Sequence, residues 1–118
     1  MTDASSEPFF EALVHLVQTS EVVIDRPRGT THPRIPNAIY PVDYGYLEGT
    51  MSADGDGIDV FVGTDGSAGV VAILLTVDRA KRDTEVKVLL NCTPGEVSKV
   101  QRFVKDVLKI GGLLVEKP

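Results

Sequence analysis

Cysteine occurs once in the 118 residues, as Cys92, and tryptophan is absent. A single thiol excludes an internal disulfide framework and any Cys-rich zinc module, and fits a reducing compartment. No run approaches the roughly 18 apolar residues of a membrane span, and Thr2, Asp3, Ala4 and Ser5 offer no basic start of a signal peptide. Basic residues are also in short supply: 12 Lys+Arg against 17 Asp+Glu leave a net charge of −5. That balance speaks against a broad basic surface for DNA or RNA. The seven aromatics do not interleave with basic residues along strands, as a single-strand nucleic-acid platform requires. At 42% hydrophobic residues the chain has enough apolar material for a core, which excludes intrinsic disorder. Residues 1–118 are expected to form one soluble, cytoplasmic domain with neither nucleic acid nor membrane as partner.

Helical spacing of Phe10, Leu13, Val14 and Val17, with Ser5 and Ser6 as cap candidates and Pro8 in the first turn, predicts a helix over residues 7–19. Val22, Val23 and Ile24 predict a short strand, and Pro27, Gly29, Pro33 and Pro36 then make residues 27–39 a long loop. Further strands are expected at residues 58–62, 70–77 and 85–90. Between the last two, residues 78–84 carry five charged side chains and predict an exposed connection joining antiparallel strands. Thr93-Pro94-Gly95-Glu96 is a capping box opening a second helix, whose apolar stripe includes Val97, Val100, Phe103, Val104, Val107 and Leu108. Gly111 and Gly112 are expected to stop it, and residues 113–115 to close the sheet. The expectation is a mostly β, α+β fold of about five strands with a helix near each end.

All three tyrosines, Tyr40, Tyr44 and Tyr46, fall within seven residues, and eight positions later comes Asp54-Gly55-Asp56-Gly57-Ile58-Asp59. Three carboxylates so close repel one another unless a cation sits among them. Oxygen donors without neighbouring His or Cys favour a hard ion, Mg²⁺ or Mn²⁺, over zinc. An EF-hand is excluded by position, since it needs a glycine where Asp59 stands. A bare Asp/Gly turn is the competing reading. Asp78, Asp83 and Glu85 could enlarge the acidic cluster. Opposite in sign is the proline-rich loop with Arg26, Arg28, His32 and Arg34. Guanidinium groups bind phosphate bidentately, so the pair of clusters describes a site for a phosphate ester or anhydride, unless the loop is merely solvated.

These residues resemble the soluble, metal-dependent inorganic pyrophosphatases of the first family. Tyr40-Pro41-Val42-Asp43-Tyr44-Gly45-Tyr46 and the Asp-Gly-Asp-x-x-Asp-Val segment at residues 54–60 are similar to that family's Y-P-x-N-Y-G-Y and D-G-D-P-x-D-V motifs, at the same separation. The resemblance implies a small closed β-barrel of the oligonucleotide-binding type, Mg²⁺-dependent hydrolysis of pyrophosphate or a related small phosphoanhydride, and association into homo-oligomers. It implies that Asp54 and Asp59 bind metal and that Asp56 accepts the proton of the attacking water. Tyr44 and Tyr40 would line the site or hold substrate oxygens. Asp78 corresponds to a further metal-binding aspartate, and Glu85-Val86-Lys87 best matches the family's Asp-x-Lys pair, with Asp83 the alternative by distance. Val104-Lys105 stands where a late Tyr-Lys pair contacts phosphate in the family. The family's K-Y-E strand and following hairpin are missing from this chain, so Arg26, Arg28, His32 and Arg34 are the candidates to replace the lost phosphate ligands. The alternative function is a catalytically reduced barrel that binds metal or phosphate as an interaction module.

Overall fold

The computed structural model describes residues 4–118. A 3₁₀ turn, Ala4–Ser6, leads into helix α1, Glu7–Gln18, and Ser6 at its cap already has helical backbone angles. Six strands follow: β1 (Val22–Arg26), β2 (Asp43–Leu47), β3 (Ile58–Val62), β4 (Val70–Asp78), β5 (Asp83–Leu90) and, at the end, β6 (Gly111–Glu116). Helix α2 spans Pro94–Arg102 and opens with the expected capping box, Thr93 and Glu96 bonding each other's backbone N–H groups. It continues as a π-helical turn, Phe103–Val107, closed by the Leu108 N–H on the Phe103 carbonyl at 2.9 Å.

The strands form one mixed sheet in the order β1-β2-β3-β5-β4-β6. The pairings are antiparallel except β3 with β5. The protein is thus mostly β, as the sequence predicts, but with β1 and β6 as the two sheet edges rather than as partners closing a barrel. The additional strand is β2. Its Asp-Tyr-Gly-Tyr-Leu sequence lacks the β-branched run of a typical strand, yet Gly45 is what allows it to sit beside β1. A Cβ there would collide with the Val23 carbonyl oxygen. Gly111 and Gly112 do not stop the second helix as expected; they begin β6, and Lys109, at φ +57°, makes the turn between.

Alternation along the strands gives the sheet two faces. One carries Leu47, Val60, Val88, Ile73 and Leu90, covered by Phe10 and Leu13 of α1. The other carries Phe61, Ala72, Leu74 and Leu89, covered by Val100, Phe103 and Val104 at the end of α2 and by Tyr40. That second face changes character along β5, from Leu89, fully buried, to Lys87 and Glu85. The helix covers only its apolar part. Residues 27–39 are organised rather than extended: Gly29 N–H bonds the Tyr40 carbonyl (2.9 Å), His32 N–H the Ala38 carbonyl (2.8 Å), and Thr31 bridges Ile39. No helix among the described residues is long and apolar enough to cross a membrane.

Candidate active site

Where α2 leaves the second face uncovered, the fold encloses a cavity of about 1240 Å³. Five of the predicted metal ligands and proton acceptors line it, namely Asp54, Asp56, Asp59, Asp78 and Glu85, as do Tyr40, Tyr44, Lys87, Arg26 and Arg34. Two segments distant in sequence and a hairpin are thereby brought to one place. Arg28, Asp83 and Lys105 are not among the lining residues. The Arg28 backbone N–H is tied to Asp43 Oδ1 at 2.8 Å. Asp83 sits opposite Asp78 at the mouth of the β4–β5 turn, two residues beyond Glu85. Lys105 lies on the π-helical turn beside a separate cleft with Gln101 and Gly112, while its neighbour Val104 is buried in the core.

At the centre is Lys87, only 7% exposed. Its Nζ donates to Asp59 Oδ2 at 2.9 Å, Glu85 Oε2 at 2.8 Å and the Tyr44 hydroxyl at 3.1 Å. The backbone sets this up: Asp59 and Lys87 are register partners across β3 and β5, and Glu85 is one alternation further along the same face. Burial alone would depress the lysine, but Tyr44, Asp59 and Glu85 together hold it above its ordinary value. Glu85 is pushed the other way from a free carboxylate: desolvation raises it against the pull of Lys87. Desolvation likewise raises Tyr44, so its hydroxyl holds its proton beyond the ordinary tyrosine range.

The Asp54–Asp59 segment folds as a tight turn. Ser52 Oγ and the Asp56 N–H both donate to Asp54 Oδ1, at 2.5 and 3.0 Å, and these bonds lower the Asp54 pKa. Asp56 is exposed at the turn's tip. An aromatic stack runs from His32 to Tyr40 (centroids 6.1 Å apart) and from Tyr40 to Tyr44 (5.2 Å), ending at the Tyr44 hydroxyl beside Lys87. Arg26 lies against it, donating from Nη1 to the Tyr40 hydroxyl at 2.5 Å, with its guanidinium 5.7 and 5.6 Å from the Tyr40 and Tyr44 ring centres. Desolvation and the charges of Arg26, Lys81 and Arg34 lower the His32 pKa.

Three cationic residues of the wall escape a reading based on motifs. Arg79 and Lys81 sit in the turn between β4 and β5, which charge density alone marks as a solvated connection. Lys109 is brought to the cavity with Leu108 and Ile110 by the π-helical turn, which no periodicity foretells. The one available signal was their type: each is basic in a chain with a surplus of acid.

A divalent ion implied by the motif can be tested against the donor set. All the carboxylates of the cavity offer hard oxygen atoms without thiolate or thioether competitors, which suits Mg²⁺ or Mn²⁺. Among the described residues, however, no three His, Cys, Asp or Glu side chains already converge as a cage. Lys87 occupies the space between two of them.

Sheet, acidic turn and basic side chains together describe a protein built around one large cavity lined by charges of both signs. The family model for inorganic pyrophosphatase matches residues 18–109, from the end of α1 through the π-helical turn, and the chain belongs to that family. No curated protein matches it.

Proposed function

We propose that this chain hydrolyses inorganic pyrophosphate, or a related small phosphoanhydride, with a divalent ion as cofactor. The observation that carries this reading is that Asp54, Asp56, Asp59, Asp78 and Glu85 line one cavity together with Arg26, Arg34 and Lys109. Asp54, Asp59, Asp78 and Glu85 would hold the ion, which when bound supplies a water of lowered pKa and positive charge on the anhydride oxygens. Asp56, free at the tip of its turn, takes the proton of the attacking water. Arg26, fixed by Tyr40 and the aromatic stack, receives phosphate oxygens bidentately. Lys109 serves where the resemblance suggested Lys105. Lys87 keeps Asp59 and Glu85 aligned, and the Tyr44 hydroxyl, which accepts from Lys87, keeps its own O–H to donate to the leaving phosphate.

The test is phosphate release from pyrophosphate at increasing Mg²⁺, with Asp59→Asn as control. Release that depends on Mg²⁺ and is lost in the variant is the expected result; none at any Mg²⁺ concentration would sink the reading. A second reading, a pyrophosphatase-like domain that binds phosphate without cleaving it, is favoured by one observation: Lys87 already neutralises Asp59 and Glu85, and no ready-made cage exists. Calorimetric pyrophosphate binding without phosphate release would select it.

A further inference from the structure

Pro33 has no N–H, so the first backbone donor after His32 belongs to Arg34, and it is given to the His32 ring: Arg34 N–H donates to Nδ1 at 3.0 Å. The contact is the imidazole counterpart of an Asx turn. It decides the tautomer. A nitrogen that accepts cannot carry the proton, so the neutral ring holds its one N–H on Nε2. Among the described residues no group receives that N–H, although His32 lines the cavity.

Both torsions of the side chain are fixed. The ring lies almost parallel to Tyr40, at an interplanar angle of 12°, and Tyr40 is itself buried between Tyr44 and Phe103. Stacking sets the plane, and the Nδ1 bond stops the ring from turning over within it. The backbone below is tied as well, His32 N–H to the Ala38 carbonyl at 2.8 Å and Ala38 N–H to the Ile35 carbonyl at 3.1 Å. Arg26 bonds the hydroxyl of the same Tyr40, its guanidinium 5.7 Å from the ring centre against 6.1 Å for the imidazole. One aromatic ring thus holds two donors of different charge at the cavity. The charges that reach His32 are Arg26 of β1, Arg34 of its own loop and Lys81 of the β4–β5 turn; all are cationic, and with burial they favour the uncharged ring.

We propose, on the pyrophosphatase reading above, that His32 is a substrate-binding residue whose neutral Nε2–H donates to a phosphate oxygen of the anhydride beside Arg26. A donor whose tautomer and orientation are set before the ligand arrives loses little freedom on binding. Being uncharged, it adds direction without adding to the positive charge that the product phosphates must leave.

Two substitutions separate the two edges of the ring. In His32→Asn the amide oxygen stands where Nδ1 was and still accepts from Arg34 N–H, while nothing reaches the place of Nε2; in His32→Gln the longer chain carries an amide donor to that place. The experiment measures phosphate release from pyrophosphate with Mg²⁺, and calorimetric binding of the slowly cleaved analogue imidodiphosphate, for the wild type and both variants. His32→Asn should melt as the wild type does and raise KM by about tenfold or more, the scale of a hydrogen bond to a charged group, with kcat changed less than about threefold, as loss of uniform binding requires. His32→Gln should recover most of that loss. A wild-type KM in His32→Asn overturns the proposal, as does a His32→Gln that melts normally and binds no better than the asparagine variant. The imidazole nitrogen resonances add a readout independent of activity: Nδ1 must be the unprotonated nitrogen of the free chain, and the opposite tautomer overturns the proposal. Should pyrophosphate not be cleaved, the hydrolytic reading fails by itself. The His32 contact then stands if imidodiphosphate binds the wild type about tenfold more tightly than His32→Asn, and falls if the two bind alike or neither binds.

Discussion

Lys87 Nζ lies 2.9 Å from Asp59 Oδ2 because the two residues are register partners in the parallel pairing of β3 with β5. The contact is thus made by the sheet and not by a loop. Replacing the lysine by an apolar chain leaves Asp59, Glu85 and Tyr44 without their shared donor. Lys87→Met should cost about 2–4 kcal/mol in urea unfolding, somewhat below the loss for a wholly buried pair because the two carboxylates keep partial contact with solvent.

The same network sets the alkaline limit of stability. Lys87 and Tyr44 both bind their protons more tightly folded than unfolded. Above about pH 10, where the unfolded chain releases these protons first, the folded state holds more protons and stability falls as pH rises. Urea midpoints at pH 8, 9.5 and 10.5 should show that decline, and the Lys87→Met, Tyr44→Phe double variant should show a shallower one.

Asp56 presents an exposed carboxylate at the tip of a turn that Asp54 and Ser52 hold together. Asp56→Asn should leave the fold and ion binding largely intact while reducing turnover by about a hundredfold or more, the usual scale for a general base. An unchanged rate of phosphate release would remove Asp56 from that role.

His32 is held below its ordinary pKa first by burial and then by Arg26, Lys81 and Arg34. A bound polyanion cancels that positive field, so pyrophosphate should raise the His32 pKa, read from its imidazole resonances by NMR titration. Without ligand the sign is opposite: the unfolded chain takes up the proton first, and this contribution to stability is lost as pH falls below about 6.5.

A Cβ on Gly45 of β2 would collide with the backbone of β1 at Val23 and Ile24. Gly45→Ala has no flexible neighbour to displace there and should destabilise by about 3 kcal/mol, the upper end of the overpacking range. A thermal melt checks this directly.

The grouping of the acidic turn was legible because three aspartates within six residues share one short segment, and all three line the cavity. Strands β3, β4 and β5 were equally readable from β-branched alternation. Strand β2 was not, since its stability comes from pairing on both sides rather than from propensity. Distance in sequence could not decide between Asp83 and Glu85; strand register does so for cavity access, keeping Glu85 beside Lys87 and carrying Asp83 to the turn. Helical periodicity correctly gave Val97, Val100, Phe103, Val104 and Leu108 as facing the core but added Val107, which is exposed, because a π-helical turn is a change of hydrogen-bond partner with no residue signature of its own.

That turn makes the cavity wall tolerant of the length of the chain. A π-helical turn takes in one residue more than an α-helical one over nearly the same rotation about the axis, so the added residue is absorbed between Phe103 and Leu108. Deleting one residue there would restore ordinary winding with Val100 before it still aimed at the core and Lys109 and Ile110 after it still aimed at the cavity. The same deletion within Pro94–Arg102, where the winding is α-helical, would turn one side against the other by about 100°.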